Sequence, residues 1–233
     1  MCGSLDDGNL AALATARMPV RQMRAGSLLY RQGQAAECYY IVLTGWLALG
    51  VTAENGAELI HDFVLPGTMI GRFGFGARDY SHTATCMTPV TVCPLPRAAV
   101  DALVARSPAI ALGLVEQTAE QAARSDATLV NIAGRNARDR IAHLLVDLFR
   151  RVTGHLPSAA GQVVMLPLRL GQIGRATNLT HVHVSRMLSL LREQGMLRWS
   201  GHRLEILDPE ALLRIAGFDT GRSARHPIAA AAD

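Results

Sequence analysis

The stretch Arg169–Leu197, RLGQIGRATNLTHVHVSRMLSLLREQGML, decides the reading of this chain. Its apolar and polar residues divide into a short helix over Leu170–Ala176, a turn at Thr177–Leu179 and a longer helix from Thr180. Thr180 suits an N-cap, because a hydroxyl there accepts from an otherwise unsatisfied amide of the first turn. Val184, Leu188 and Leu191 recur at i, i+4 and i+7, so one stripe of the second helix faces inward with Ile173 and Leu179. The opposite face presents His181, Val182, Ser185, Arg186 and Ser189. A buried stripe that fixes the helix, with projecting residues at its N-terminal end, is what a helix needs to enter the major groove of DNA.

The residue types on that face fit base and phosphate contacts. Arg186 can make the bidentate contact to guanine O6 and N7 that a planar guanidinium makes well. Val182 cannot accept from cytosine N4, but it can touch a thymine methyl. Thr180, His183 and Arg169 are placed for phosphates, which position a protein without reading sequence. His181 and His183 lie two residues apart, about 200° around a helix, so their rings cannot share one metal ion. Gly195 ends the helix, and Leu197–Trp199 with Arg203–Leu207 form a hairpin around Ser200-Gly201, the wing of a winged helix. Arg198, His202 and Arg203 gather near its tip.

Charge distribution agrees. Net charge is +4 over 233 residues, with 23 Arg and no Lys. Residues 1–133 carry nine Arg against eleven acids, a net of −2, whereas residues 134–233 carry fourteen Arg against eight acids, a net of +6. A basic back half points to a polyanion partner. Hydrophobic residues make up 49% of the chain, enough for a packed core. No apolar run reaches the roughly 20 residues needed to cross a bilayer, and the N-terminus MCGSLDDGNL is acidic where a secretory signal is basic. These features lead us to expect a cytoplasmic protein without membrane contact.

Ahead of the basic half the texture changes. Residues 1–18 suggest a short leading helix. Strand candidates follow at Ser27–Tyr30, Cys38–Thr44, Trp46–Val51, Glu58–Leu65, His82–Met87 and Val90–Leu95, separated by turn signals such as Asn55-Gly56 and Pro66-Gly67. Six short strands at this spacing predict an antiparallel roll or jelly roll. A long helix is expected over Pro108–Ala133. Leu112, Val115, Ala119, Ala122, Asp126, Leu129 and Ala133 alternate by three and four along it, the seam of a coiled-coil dimer. A helix lying on its own domain's core is the alternative. Asp126 is the odd member, since a carboxylate on a seam is costly unless paired. A second amphipathic helix spans Asn136–Val152, a loop Thr153–Gly161, and a short strand Gln162–Leu168. The expected division is a β-roll sensor over 1–107, a dimerisation helix over 108–134, a winged helix-turn-helix over 135–218 and a loosely ordered tail over 219–233. The fold class is α+β.

With these segments in place, the chain resembles the CRP/FNR superfamily of bacterial regulators over roughly residues 15–218. The matching residues in the front half are Gly33, YYIVLTGWLAL (Tyr39–Leu49), LPG (Leu65–Gly67), GRFGF (Gly71–Phe75) and SHTAT (Ser81–Thr85). In the back half they are DRIAHLL (Asp139–Leu145), QIG (Gln172–Gly174) and LTHVHVSRML (Leu179–Leu188). The resemblance implies a cyclic-nucleotide-binding-type β-roll, a homodimer through the central helix, and a transcription factor on double-stranded DNA. An activator of this kind would also meet RNA polymerase. A regulatory module acting through protein contacts, or an enzyme, fits less well. No nucleophile–base pair, metal triad or phosphate loop is present in the sequence.

The departures from the family pattern matter for the effector. In cyclic-AMP-binding members a Glu that holds the ribose follows the phosphate-loop glycine, Gly71 here, whereas this chain has Arg72. The family's phosphate-pairing Arg falls at His82, followed by Thr83 and Ala84. Both anchors are therefore missing, and a neutral His is a poor substitute for a permanent cation. Cyclic AMP is not expected to bind. Arg72, His82, Thr83, Ser125 and Asp126 remain a candidate pocket for another effector, with pairing of Arg72 to Asp126 as the plainer reading. Relatives that hold an iron–sulfur cluster use several clustered N-terminal cysteines, and only Cys2 lies there. Haem-binding relatives make His61, His82, Cys38 or Cys86 candidate axial ligands, although no cofactor is expected. Cys86 and Cys93, on neighbouring strand candidates, are expected to be able to face each other. In the recognition helix many anaerobic-type relatives have Glu where this chain has Val182, so its target site should differ from theirs.

Overall fold

The computed structural model describes residues 15, 17–71 and 78–218. The leading helix expected over 1–18 falls almost wholly outside the described residues, as do Arg72 and the expected tail 219–233. The chain divides into two compact units, Met1–Ala133 and Gly134–Asp233.

The first unit is built from two four-stranded antiparallel sheets. One has the order β1 (Arg21–Met23), β8 (Val90–Pro96), β3 (Cys38–Thr44), β6 (Met69–Ile70), and the other β2 (Leu28–Tyr30), β7 (Thr83–Cys86), β4 (Leu47–Thr52), β5 (Glu58–Val64). Strand alternation drives Tyr30, Tyr40, Val42, Leu47, Leu49, Ala84, Cys86 and Val92 into one shared core. The far side of the first sheet carries Tyr39, Met69 and Leu95, which meet Val100 of α1 (Arg97–Arg106) and Ile110 of α2 (Pro108–Gly134). These two helices bend by 117° at their junction. Among the described residues no single helix is long and apolar enough to cross a membrane.

One expectation fails here. Cys86 lies on β7 and Cys93 on β8, strands of different sheets rather than neighbours. Cys86 packs into the shared core beside Val92, while Cys93, one residue on, points to the opposite face of its strand. Both are buried free thiols, and burial pushes the Cys86 thiol up from its ordinary value.

The helix α2 is two-faced. Ile110, Gly113 and Asn131 are buried, Ile110 against Tyr39, Met69 and Leu95 of the roll. All seven expected seam positions, Leu112, Val115, Ala119, Ala122, Asp126, Leu129 and Ala133, are exposed. The helix is tied to the roll by Arg124, whose Nε lies 3.2 Å from Oδ2 of buried Asp62 on β5. The Thr128 hydroxyl donates to the carbonyl of His61 at 3.3 Å.

In the second unit α3 (Ala137–Thr153) is the central element. Asn136 caps it by accepting from the Asp139 amide, and left-handed Gly154 ends it. Ile141, Leu145, Leu148 and Phe149 form its buried face. Helices α4 (Leu170–Thr177), α5 (His181–Glu193) and α6 (Pro209–Ala216) pack against it. A three-stranded sheet, β9 (Val163–Met165), β11 (Arg203–Ile206) and β10 (Leu197–Ser200), completes the unit.

Candidate nucleic-acid interface

The helix pair α4–α5 is positioned by its connecting turn. Arg169 precedes α4, and the Gln172 side chain accepts from the Arg169 amide at 2.7 Å. Asn178 ends α4 in the left-handed conformation, φ 54° and ψ 48°, which Asn tolerates better than most side chains. The Leu179 amide donates to the Gly174 carbonyl at 2.9 Å. A side chain at Gly174 would collide with the Leu179 carbonyl oxygen, so only glycine allows the turn to fold back this closely. Thr180 caps α5 through its hydroxyl, which accepts from the His183 amide at 3.3 Å.

This geometry fixes the outward face. Val184, Leu188 and Leu191 are buried, as is Ile173 of α4, while Leu179 is half-buried. Thr180, His181, Val182, His183, Ser185 and Arg186 are exposed, Ser189 is half-buried, and Arg169 is exposed at the start of α4. Arg186 makes no ion pair among the described residues, so its guanidinium is available to a ligand.

The wing behaves differently. Arg203 Nη1 lies 2.6 Å and Arg198 Nη1 3.1 Å from the same Glu205 oxygen. Hydrogen bonding from Arg203, then the charges of both arginines, holds the Glu205 carboxyl below its usual range. Glu205 was invisible as a site residue from sequence, yet its alternation with Arg203 on β11 places both on one face. The sharing offsets part of the positive charge of Arg203 and of the hairpin as a whole.

Among the candidate effector residues, Gly71 and His82 are linked through stacked Tyr80 and Tyr30. Gly71 adopts φ +82°, and a Cβ there would stand 2.9 Å from the Cys38 carbonyl. His82 is buried, with Nε2 2.8 Å from the Tyr30 hydroxyl and Nδ1 3.1 Å from the Ser81 hydroxyl. Its ring meets His61 edge-on at 5.3 Å, and Tyr30 stacks on Tyr80 at 3.8 Å. Burial and then the neighbouring His61 push the His82 pKa down to about 4, so the ring is neutral at pH 7. Thr83 accepts from the Gln32 amide at 3.1 Å. Ser125 is half-buried on α2, whereas Asp126 is exposed on its seam face. Neither has a hydrogen bond to His82 or Thr83 among the described residues. Pairing of Arg72 with Asp126 lies outside the described residues.

His82 by itself suits neither of the two ligands the family suggests. A phosphate needs a cation, and His82 is a neutral ring closed onto Tyr30. A haem axial ligand needs a free ring nitrogen, and both nitrogens of His82 already have partners. The ring of Tyr30, not evident as a site residue in the sequence, and the imidazole of His61, a candidate haem ligand there, pack against His82.

A β-roll followed by a capped, outward-facing second helix and a wing defines a two-part DNA-binding regulator. Residues 20–107 match the cyclic nucleotide-binding domain and residues 139–215 the Crp-like helix-turn-helix domain, together more than half of the chain. The transcriptional activator protein FnrL of Cereibacter sphaeroides is 28% identical over 223 residues, 94% of this chain and 89% of that protein. FnrA of Stutzerimonas stutzeri is 27% identical over 197 residues, 84% of this chain and 80% of that protein. The solved structure of FixK2 from Bradyrhizobium japonicum shares the fold, with a TM-score of 0.75 and 24% identity over 89% of this chain and 99% of that one. The chain belongs to the CRP/FNR superfamily of bacterial DNA-binding transcriptional regulators.

Proposed function

We propose that the protein works as a homodimer on a palindromic operator, paired through α2. Seven successive seam positions exposed on the helix face turned away from the roll are the observation that carries this reading. Apolar stripes of that length are normally covered. Arg186 reads guanine, Val182, Ser185, His181 and Ser189 lie against base edges, and Arg169, Thr180 and His183 hold phosphates. Arg203 contributes a weaker phosphate contact because Glu205 shares its charge. The working division is a sensor over 1–107, the dimer helix over 108–134 and the DNA-binding domain over 135–218.

Regulation does not run through cyclic AMP, and haem is not assigned. Another effector reaching the roll near His82, Thr83 and Ser125 is compatible with the fold. The protein acts in the cytoplasm, and as an activator it would meet RNA polymerase, as the named activity of the FnrA and FnrL relatives suggests.

The testing experiment is selection of bound duplexes from random DNA by full-length protein, at several salt concentrations. Enrichment of a palindrome with half-sites about one helical turn apart is expected, with affinity falling steeply as salt rises. Arg186→Ala should abolish the sequence preference and leave the dimer intact. Selection of asymmetric single half-sites would overturn the dimeric reading.

A further inference from the structure

Val182 is 53% exposed and is the only exposed large apolar side chain on α5. Single exposed valines are ordinary on protein surfaces, but this one is set apart by direction. At about 100° per residue, Val182 and Arg186 both lie within roughly 25° of the line pointing straight away from Val184, Leu188 and Leu191. His181, His183 and Ser185 lean about 75° or more to the sides on the same geometry. The valine therefore stands beside the guanine reader at the front of the helix.

An isopropyl group there offers no hydrogen bond. The major groove presents one apolar feature, the C5 methyl of thymine. Cytosine methylated at C5 carries the same group at the same ring position. We infer that Val182 is a specificity-determining residue that reads the 5-methyl group of a pyrimidine. Because valine is indifferent to O4 or N4, and the adjacent Ser185 hydroxyl can both donate and accept, thymine and 5-methylcytosine are equivalent to it. Val182 and Arg186 are about 6 Å apart along the helix axis. The methylated pyrimidine therefore lies within about two base-pair steps of the guanine that Arg186 reads. The inference rests on α5 being the recognition helix, and it makes DNA binding responsive to cytosine methylation.

The test uses the duplex selected by full-length protein. Each thymine is replaced singly by deoxyuridine, which removes only the methyl. At one position per half-site the wild type should lose affinity about fourfold, and roughly fifteenfold when both half-sites are changed. Placing cytosine at that position should weaken binding, and 5-methylcytosine should recover the same fourfold. Val182→Ala, an exposed change that spares the core, should bind the thymine and deoxyuridine duplexes alike. Deoxyuridine that costs nothing anywhere, or costs Val182→Ala as much as wild type, overturns the assignment while leaving the operator intact. Failure to enrich any site overturns the operator reading and the base assignment together.

Discussion

The Tyr30 hydroxyl stands 2.8 Å from Nε2 of His82, in the heart of the roll. The ring that occupies the family's phosphate-anchor position is thus turned inward and held by a tyrosine. It offers no charge to a nucleotide.

Cyclic AMP should therefore give no saturable heat in calorimetric titration at micromolar concentrations, and should leave DNA affinity unchanged. A saturable isotherm would show that His82 can swing out and charge on binding.

His82 also makes stability depend on pH. Its folded pKa is about 4 against an ordinary 6.5, so below pH 6.5 the unfolded chain takes up a proton that the folded chain refuses. Stability is full above pH 6.5 and is lost as pH falls toward 4, by about 3 kcal/mol in all. Burial shifts His61 and His143 in the same direction, adding to the slope. Urea midpoints measured from pH 7.5 to 4.5 should fall steadily, and His82→Gln should flatten the slope. An unchanged slope in that variant would mean the loss comes from elsewhere.

Arg124→Ala should strip Asp62, buried at 6% exposure, of its guanidinium partner. Removing one member of such a pair costs about 3 kcal/mol, readable as a lowered urea midpoint at pH 7. Arg124→Lys should recover only part of this, since an ammonium lacks the guanidinium fork. A variant as stable as wild type would show that the pair contributes nothing net.

Much of this architecture is readable in the chain because periodicity survives into structure. Val184, Leu188 and Leu191 announce α5, and the β-branched runs announce β3, β4, β5 and β8 to within a residue or two. What escapes is short or held by partners distant in sequence. The strands β1 and β6 have three and two residues, too few for a period to register. The helix α1 carries one buried residue, Val100. The helix α6 had a readable signature, Asp208 as cap, Pro209 in its first turn and Gly217 past its end. On the interface, the exposed face of α5 follows from spacing alone. The aromatic closure of His82 does not, since Tyr30 is 52 residues away.

If the proposed α2 dimer forms, Leu112→Arg with Leu129→Arg should convert it into a monomer by sedimentation velocity. Both side chains are more than 60% exposed in the protomer, so the roll has no reason to unfold. Charges on a seam that must dehydrate are strongly unfavourable. DNA binding should fall with dimer loss. A double variant that still sediments as a dimer would place the interface somewhere other than α2.

Gly174→Ala tests the turn that aims α5. The new methyl would run into the Leu179 carbonyl oxygen, while the Gly174 carbonyl is already tied to the Leu179 amide. Relief requires the two helices to separate just where Thr180 starts the recognition helix. Overpacking of this kind costs about 2 kcal/mol, and DNA affinity should drop more than the stability loss alone explains, because Arg186 is re-aimed. Gly171→Ala is the matched control: it lies on the same helix with open space around its Cβ position, and should gain up to about 1 kcal/mol from helix propensity. If Gly174→Ala binds the selected operator as tightly as wild type, the close approach of the two helices does not set the orientation of α5.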